Sequence, residues 1–576
     1  MTASARGKKA SGSEIAGLGA AAAFGVVAFF VWAGWTILDP GNVGWLRVGD
    51  RAMHTLGWWF FRVTPWGWPL GVSPRNGLEI SSSVALSDSL PLFAIPFKLL
   101  SPLLPKVFQY WGLWFLLSMV LQGVFGYLIG RSLRLSRPVS VLLGAALVMT
   151  PAFLFRLPFH MALAGHWVLL CAIWLYVKEP APRRFAWPLL IVITSMVHVY
   201  LLAMVFALWL AALVQRLWLG RLSRTGAVVE LVAGIALCLV TLWAMGFFMT
   251  SSLGAEGFGL YKMNLSAFFD PNNWSWLWPD LPNADGDYEG LSFPGLGVLL
   301  LLALGLGLAW RRVGALVSPR WLPLLVVAVG GVVFAISNKP ALGRWEIGTI
   351  PLPGAVLDFA SMFRASGRMV WPAAYLAAVL AFVLLARRLA PRPLLVLTAA
   401  ALVLQIADTS KGWTEFAATR PAPSPTWPTP IKSAFWDFAA RHYDKVRAIP
   451  VEGINRNWAE LSFYAAFHGM SSDAAYLGRL DADGYWRLKA MARAALTEGA
   501  LEPDALYVLD GPSAQRIRPF MRPGDMLVNV DGFIVFGRNG RDYAQADGFK
   551  LPQADRPWPP GAEARLATTA GADTRG

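Results

Sequence analysis

The chain has 576 residues and only two cysteines, Cys171 and Cys238, both inside apolar runs. They argue against a disulfide framework and against a cysteine-ligated metal. Charge is scarce too: 15% of residues are charged, where soluble domains carry about 25%. There is no Walker A sequence, no Gly-rich dinucleotide fingerprint, no H-E-x-x-H and no C-x-x-C. Nucleotide hydrolysis, dehydrogenation and zinc proteolysis therefore lose their usual sequence basis. No internal repeat is visible. The first apolar run, Ile15–Leu38, is too long for a signal-peptide core and lacks a small-residue cleavage site, so it reads as a retained helix.

What is present points to the bilayer. Mean hydropathy is +0.48 and 56% of residues are hydrophobic. Apolar runs of spanning length recur through the first 410 residues, as a multi-helix bundle requires. The 28 tryptophans suit interfacial belts and aromatic pocket walls. The net charge of +15 invites a nucleic-acid reading. The basic residues sit instead in short loops between apolar runs, such as Arg131/Arg134/Arg137, Lys178/Arg183/Arg184, Arg311/Arg312/Arg320 and Arg387/Arg388/Arg392. That is the positive-inside pattern, and it predicts a lipid bilayer and no nucleic acid as partner.

With every basic loop on the cytoplasmic side, the chain has about eleven spans. The N-terminus is then inside and the C-terminus outside. The stretch 187–215 is too short for two full spans and is expected to be two short helices meeting near His198. Broken helices at membrane depth are tolerated where they line a cavity. The expected fold class is a polytopic α-helical membrane protein with a small C-terminal α/β domain outside the cytoplasm. The transmembrane domain covers 1–410 and includes outer loops 39–107, 251–293 and 338–368. A Pro-rich linker, 411–430, leads to the α/β domain, 431–552, and a tail, 553–576, of disorder-prone composition. Within the α/β domain, Val446–Val451, Ala505–Leu509 and Met526–Phe536 read as strands, the last with a turn at Asp531-Gly532, and Trp458–His468 reads as a helix.

Polar residues in such a chain mark candidate chemistry. Asp50 and His54 lie four apart in the first outer loop, on one face if helical, followed by Gly57-Trp58-Trp59-Phe60-Phe61-Arg62. An amphipathic helix along the membrane surface is expected there. Asp50 is a candidate general base for an acceptor hydroxyl and His54 a candidate for orienting substrate; a helix cap and a solvated histidine are the plainer alternatives. Asp88, between Ser87 and Ser89, is a second candidate carboxylate or a helix N-cap. His160 and His166 flank a helix start, with Arg156 just before. Their six-residue spacing is not that of an i, i+4 zinc pair, so phosphate or sugar contact fits them better. His198 lies at the suspected break. Arg364 and Arg368 precede an apolar run on the outer side, against the positive-inside trend, and suit phosphate binding. In the loop 251–293, Trp274, Trp276 and Trp278 could stack on sugar or isoprenoid, and Glu289 is a further candidate carboxylate.

An acidic residue in the first outer loop, a long hydrophobic bundle and an outer C-terminal domain together resemble the GT-C superfamily of polytopic glycosyltransferases. More narrowly, several stretches are similar to a bacterial family of GT-C-like membrane proteins of uncharacterised activity. They include Gly49-Asp50…His54…Gly57-Trp58, Trp66-Gly-Trp-Pro-Leu-Gly71, Asp88-Ser-Leu-Pro-Leu92, Arg156…His160…His166-Trp167 and Glu289-Gly290. The resemblance implies an inner-membrane enzyme that moves a sugar from a polyprenyl-phosphate donor to a glycan, lipid or protein acceptor on the periplasmic side. It implies Asp50 as base and Arg364 and Arg368 as phosphate-binding groups. The paired acidic motif common in the superfamily is absent near Asp50. Metal dependence, on Mg or Mn, is left open beside a metal-independent route in which arginine neutralises the leaving phosphate. Two rival readings are a lipid or saccharide transporter and a non-catalytic subunit of an envelope-glycan complex.

Overall fold

Helices follow the apolar runs, because a backbone in lipid must satisfy its own hydrogen bonds. The computed structural model describes residues 2–80, 82–178, 185–250, 257–309, 318–418, 424–451, 457–477 and 481–552. The chain divides into two compact units. One comprises Met1–Asn42, Gln109–Leu242 and Leu253–Pro423; the other comprises Val43–Phe108, Trp243–Ser252 and Ser424–Gly576.

Seven helices are long and apolar enough to cross a membrane: Gly12–Ala33, Trp111–Ser132, Met161–Lys178, Val199–Trp218, Arg224–Ala244, Ser366–Ala386 and Pro391–Thr414. An eighth span results if Arg137–Val148 and Pro151–Phe159, bent by 47° at their junction, count as one. Ala186–Ser195, Leu296–Leu308 and Leu322–Ile336 are apolar but shorter. Against the expected count of about eleven, length and composition give seven or eight candidate spans among the described residues, beside these three shorter apolar helices. Hydropathy windows register apolar runs, whereas spanning needs length. A ten-residue helix such as Ala186–Ser195 rises only about 15 Å, half of a bilayer core. The stretch 187–215 forms two helices. His198 stands at their junction as N-cap of Val199–Trp218, its Nδ1 accepting from the Tyr200 N–H at 3.1 Å.

The second unit is built on a five-stranded sheet. Its order is Ser471–Ser472, Lys445–Ile449, Ala505–Leu509, Phe533–Gly537 and Met526–Val530. The first three strands are mutually parallel, and the last two form an antiparallel hairpin. Asp531 and Gly532 turn that hairpin with φ of 51° and 86°, as a tight two-residue turn demands. The Asp531 carboxylate also accepts from the N–H groups of Lys432 and Ser433 and from Trp436 Nε1.

The first loop groups with this sheet. Arg447 binds Glu79 through two N–H···O contacts of 2.6 and 2.7 Å. Arg47 reaches Glu460 at 2.6 Å, and Gly77 N–H donates to Ser472 O at 2.8 Å. The loop expected within the transmembrane domain from residue 39 is therefore, from Val43 to Phe108, part of the sheet-containing unit. Arg183, Arg184, Arg311 and Arg312, the 419–423 part of the linker and the tail from 553 lie outside the described residues.

Candidate functional site

Glu289 lies on a short 3-10 turn, Asp287–Gly290, and is 3% exposed. The turn is pinned by Asp287, whose carboxylate accepts from Asn264 Nδ2 at 2.8 Å and Ala284 N–H at 3.0 Å. Two arginines converge on it. Arg156, fully buried just beyond the 47° bend, donates from Nη1 to Glu289 Oε2 at 2.7 Å and from Nη2 to the Glu289 carbonyl at 3.1 Å. Arg368 donates from Nε to Oε2 at 2.8 Å and from Nη2 to Oε1 at 2.6 Å. His160 Nε2 stands 3.5 Å from Oε1, and His160 Nδ1 is 3.3 Å from Arg156 Nη1.

Aromatic faces pack the guanidiniums from the other sides. Arg156 lies 5.0 Å from the Phe155 ring and 5.1 Å from Trp371; Arg368 lies 4.9 Å from Tyr200. The strands of chain bearing Glu289 and Arg368 approach very closely. A Cβ on Gly367 would sit 2.8 Å from the Gly290 backbone, so glycine is needed for the pair to meet. Burial pushes the Glu289 carboxyl upward, but the charges of Arg156 and Arg368 outweigh it and hold the group well below the usual carboxylate range. Two guanidiniums thus converge on one ionised carboxylate. Arg156 Nε is a buried N–H without a partner among the described residues. The arrangement can accept an anion.

The structure separates the expected arginine pair. Arg368 is buried on the 3-10 turn Ser366–Val370, whereas Arg364 precedes it at a bend, 5.4 Å from the Tyr261 ring. They do not share a helical face, because the chain is not helical from Met362 to Ala365. His166 is likewise apart from His160. It is fully buried, its Nδ1 2.6 Å from the Tyr375 hydroxyl, which also receives Gln122 Nε2 at 2.9 Å. Trp371 packs on its ring at 4.1 Å. This is an interior polar chain between spans.

Asp50, His54 and Asp88 belong to the other unit. Asp50 is in the first turn of the helix Gly49–Val63, and His54 is buried one turn on. Residues Ala52–Phe61 are all buried; the expected surface-lying amphipathic helix is instead enclosed by protein. The turn bearing Asp88 is fastened to it. Ser89 Oγ donates to the His54 carbonyl at 2.7 Å and lies 2.9 Å from Ser87 Oγ. A Cβ at Gly57 would fall within 2.5 Å of both serine hydroxyls, so glycine admits the turn. Asp88 itself has φ of 48°, and the N-cap of the following helix, Pro91–Leu99, is Leu90.

Among the tryptophans of loop 251–293, Trp274 is buried, while Trp276 and Trp278 are exposed. No group of three or more His, Cys, Asp or Glu side chains is arranged to hold a metal among the described residues.

The family described as domain of unknown function DUF6311 matches residues 22–410, and its C-terminal domain matches residues 435–538. The chain belongs to the DUF6311 family. No curated protein matches it. The DUF6311 region contains the whole Arg156–Glu289–Arg368 cluster, as well as Asp50, His54 and Asp88. Arg156 is the member that sequence reading left without a role. An arginine near a span end ordinarily snorkels, and its partner Glu289 is 133 residues away. The available signal was an arginine and an acid both predicted at membrane level.

Proposed function

We propose that this DUF6311 protein is a glycosyltransferase of GT-C type, in the bacterial inner membrane with its α/β domain in the periplasm. It would transfer a sugar from a polyprenyl-phosphate-linked donor to an envelope glycan, lipid or protein acceptor. The observation that carries the proposal is the pair of buried guanidiniums on a single carboxylate. Arg156 keeps a buried Nε–H without a partner among the described residues, and arginine matches a phosphate's oxygens. A lipid-linked phosphate brings that anion together with an apolar tail.

In this reaction the acceptor hydroxyl oxygen attacks the anomeric carbon as the bond from that carbon to the phosphate oxygen breaks. The hydroxyl proton goes to a carboxylate base, the role that the GT-C resemblance carries over to Asp50; the bond electrons leave with the phosphate, and in the helical unit Arg156 and Arg368 are the groups suited to neutralise its added charge. In-line displacement inverts the anomeric carbon. His54, Asp88, His160, His198 and Arg364 are proposed to orient substrate; His166 acts at most through its buried hydrogen-bond chain.

The test uses the full-length chain in lipid vesicles with labelled polyprenyl-phosphate sugars. Asp50→Asn should lower transfer by at least about 100-fold while leaving retention of polyprenyl phosphate intact. Arg368→Gln should weaken that retention. Transfer unaffected by Asp50→Asn would end the assignment of Asp50. Absence of transfer from every donor, with passage of intact lipid-linked saccharide across the vesicle, would replace the enzyme by a transporter.

A further inference from the structure

A second cationic site lies in the sheet-containing unit. A cavity of about 170 Å³ is lined by Trp59, Arg62, Val63, Lys106 and Phe467, among others, and by no carboxylate. Arg62 directs all its N–H groups to neutral oxygens: the Ser101 hydroxyl and the carbonyls of Ser101, Leu104, Pro105 and Lys106. It thereby ties down the loop 101–106 while its charge stays uncompensated. Burial, with no anion opposing it, lowers its pKa. Lys106 Nζ sits 3.5 Å above the Phe467 ring. A third cation, Lys98, stands 3.9 Å from Phe61 and 4.4 Å from Trp66. None of the three pairs with an acid among the described residues, and residues 89–108 contain none.

Apolar side chains surround these cations. Leu99, Leu100 and Leu103 are 66, 46 and 83% exposed, and Trp66 and Trp68 also face outward. The loop carrying the tryptophans packs on the end of a candidate span. Trp68 stacks on Trp243, and Gly71 N–H donates to the Ala244 carbonyl at 2.9 Å. Trp243 and Ala244 end the candidate span Arg224–Ala244. Exposed tryptophans and leucines beside unpaired cations at a span end form an interfacial pattern.

We infer that the Arg62–Lys106 cavity binds the headgroup of an anionic phospholipid, with Leu99, Leu100 and Leu103 against its acyl chains. The phosphate would meet the Lys106 ammonium in the field of Arg62 and Lys98, which carbonyls and rings hold in place. Arg62 acts by charge and by shaping the loop, since its N–H groups are already engaged. This site does not rest on the glycosyltransferase reading; it uses none of the residues assigned to transfer.

The experiment places the full chain in nanodiscs of phosphatidylcholine with about one-fifth phosphatidylglycerol, a trace of it carrying a photoactivatable group beside the headgroup. Adducts are mapped by peptide mass spectrometry. Labelling is expected in residues 59–66 and 97–107, with competition by unlabelled phosphatidylglycerol. Lys106→Gln should reduce it by about fivefold, the effect of one basic residue at an anionic surface, and Lys106→Arg should preserve it. Leu103→Asn, at an exposed position, should reduce it without altering the thermal midpoint. Equal labelling by a phosphatidylcholine probe, or no change in Lys106→Gln, would overturn the inference. Equal competition by inorganic phosphate would overturn it in favour of a soluble-anion site.

Discussion

The two units each contain an arginine–carboxylate cluster around a buried arginine, and the clusters have opposite stoichiometry. In the helical unit Arg156 and Arg368 share Glu289. In the sheet-containing unit Arg447 is shared by Glu79, Asp473 and Glu502, with Lys445 on Glu502 and Asp504. The helical-unit cluster is buried throughout its ion pairs, whereas in the other only Arg447 and Asp473 are. The acid-rich cluster has an internal remedy, because a carboxylate can take up a proton. Asp473 is the group that does so: burial raises it to about 7, against the opposing pull of Arg447. The arginine-rich cluster has no such remedy, since guanidinium does not release its proton in this range. The two clusters therefore respond to pH in opposite ways.

The sharpest way to break this comparison is to remove the shared carboxylate. Glu289→Ala leaves two buried guanidiniums without their counter-charge and should cost about 3–5 kcal/mol, read as a lower thermal midpoint of the purified chain. Arg368→Gln should cost less, since it leaves a neutral Arg156–Glu289 pair. The pH dependence has a definite sign. A carboxyl held below its ordinary 4.5 contributes stability above that pH and loses it on acidification. Equal costs for the two substitutions would show that Glu289 is not the counter-charge the geometry implies.

Much of the fold was legible in the sequence, for reasons specific to particular segments. Trp458–His468 and Ala505–Leu509 have the bounds that pattern and breakers imply, and Asp531-Gly532 has one turn type open to it. The break near His198 followed from length alone. The span count depends on length as well as apolarity, and short apolar helices such as Leu322–Ile336 fall below the length criterion. The site was legible residue by residue and illegible as an assembly. Glu289 and Arg368 stood out as charges at membrane level, but their pairing depends on a backbone approach at Gly290 and Gly367 that no local pattern encodes. Arg364 stood out equally, yet the chain between it and Arg368 is not helical, so a spacing argument joined residues that the backbone separates.

Asp473→Asn sharpens the contrast from the other side. In the wild type the folded state holds a proton on Asp473 up to about pH 7, whereas the unfolded carboxyl releases it near 3.8. Between those values the folded state binds more protons, so stability falls as pH rises, by up to about 1.4 kcal/mol per pH unit. This is the opposite sign to Glu289. Asparagine can still accept the Ala448 N–H that Asp473 Oδ1 receives at 2.8 Å, and it cannot titrate. Hydrogen exchange of the Lys445–Ile449 strand, followed across that pH window, should flatten in the variant. An unchanged slope would assign the surplus acid to another group.

The smallest effect tests whether burial, and not ion-pair count, separates the clusters. Lys445 Nζ contacts Glu502 at 2.6 Å and Asp504 at 3.1 Å, closer than several contacts around Glu289, yet its side chain is 28% exposed. Water and salt screen such a pair, so Lys445→Gln should cost only about 0.2–1 kcal/mol. The cost should shrink further in high salt, whereas that of Glu289→Ala should hardly move. Glu502 keeps Arg447 at 2.8 Å, which limits the loss. Should Lys445→Gln prove as damaging as Glu289→Ala, distance alone would govern both clusters.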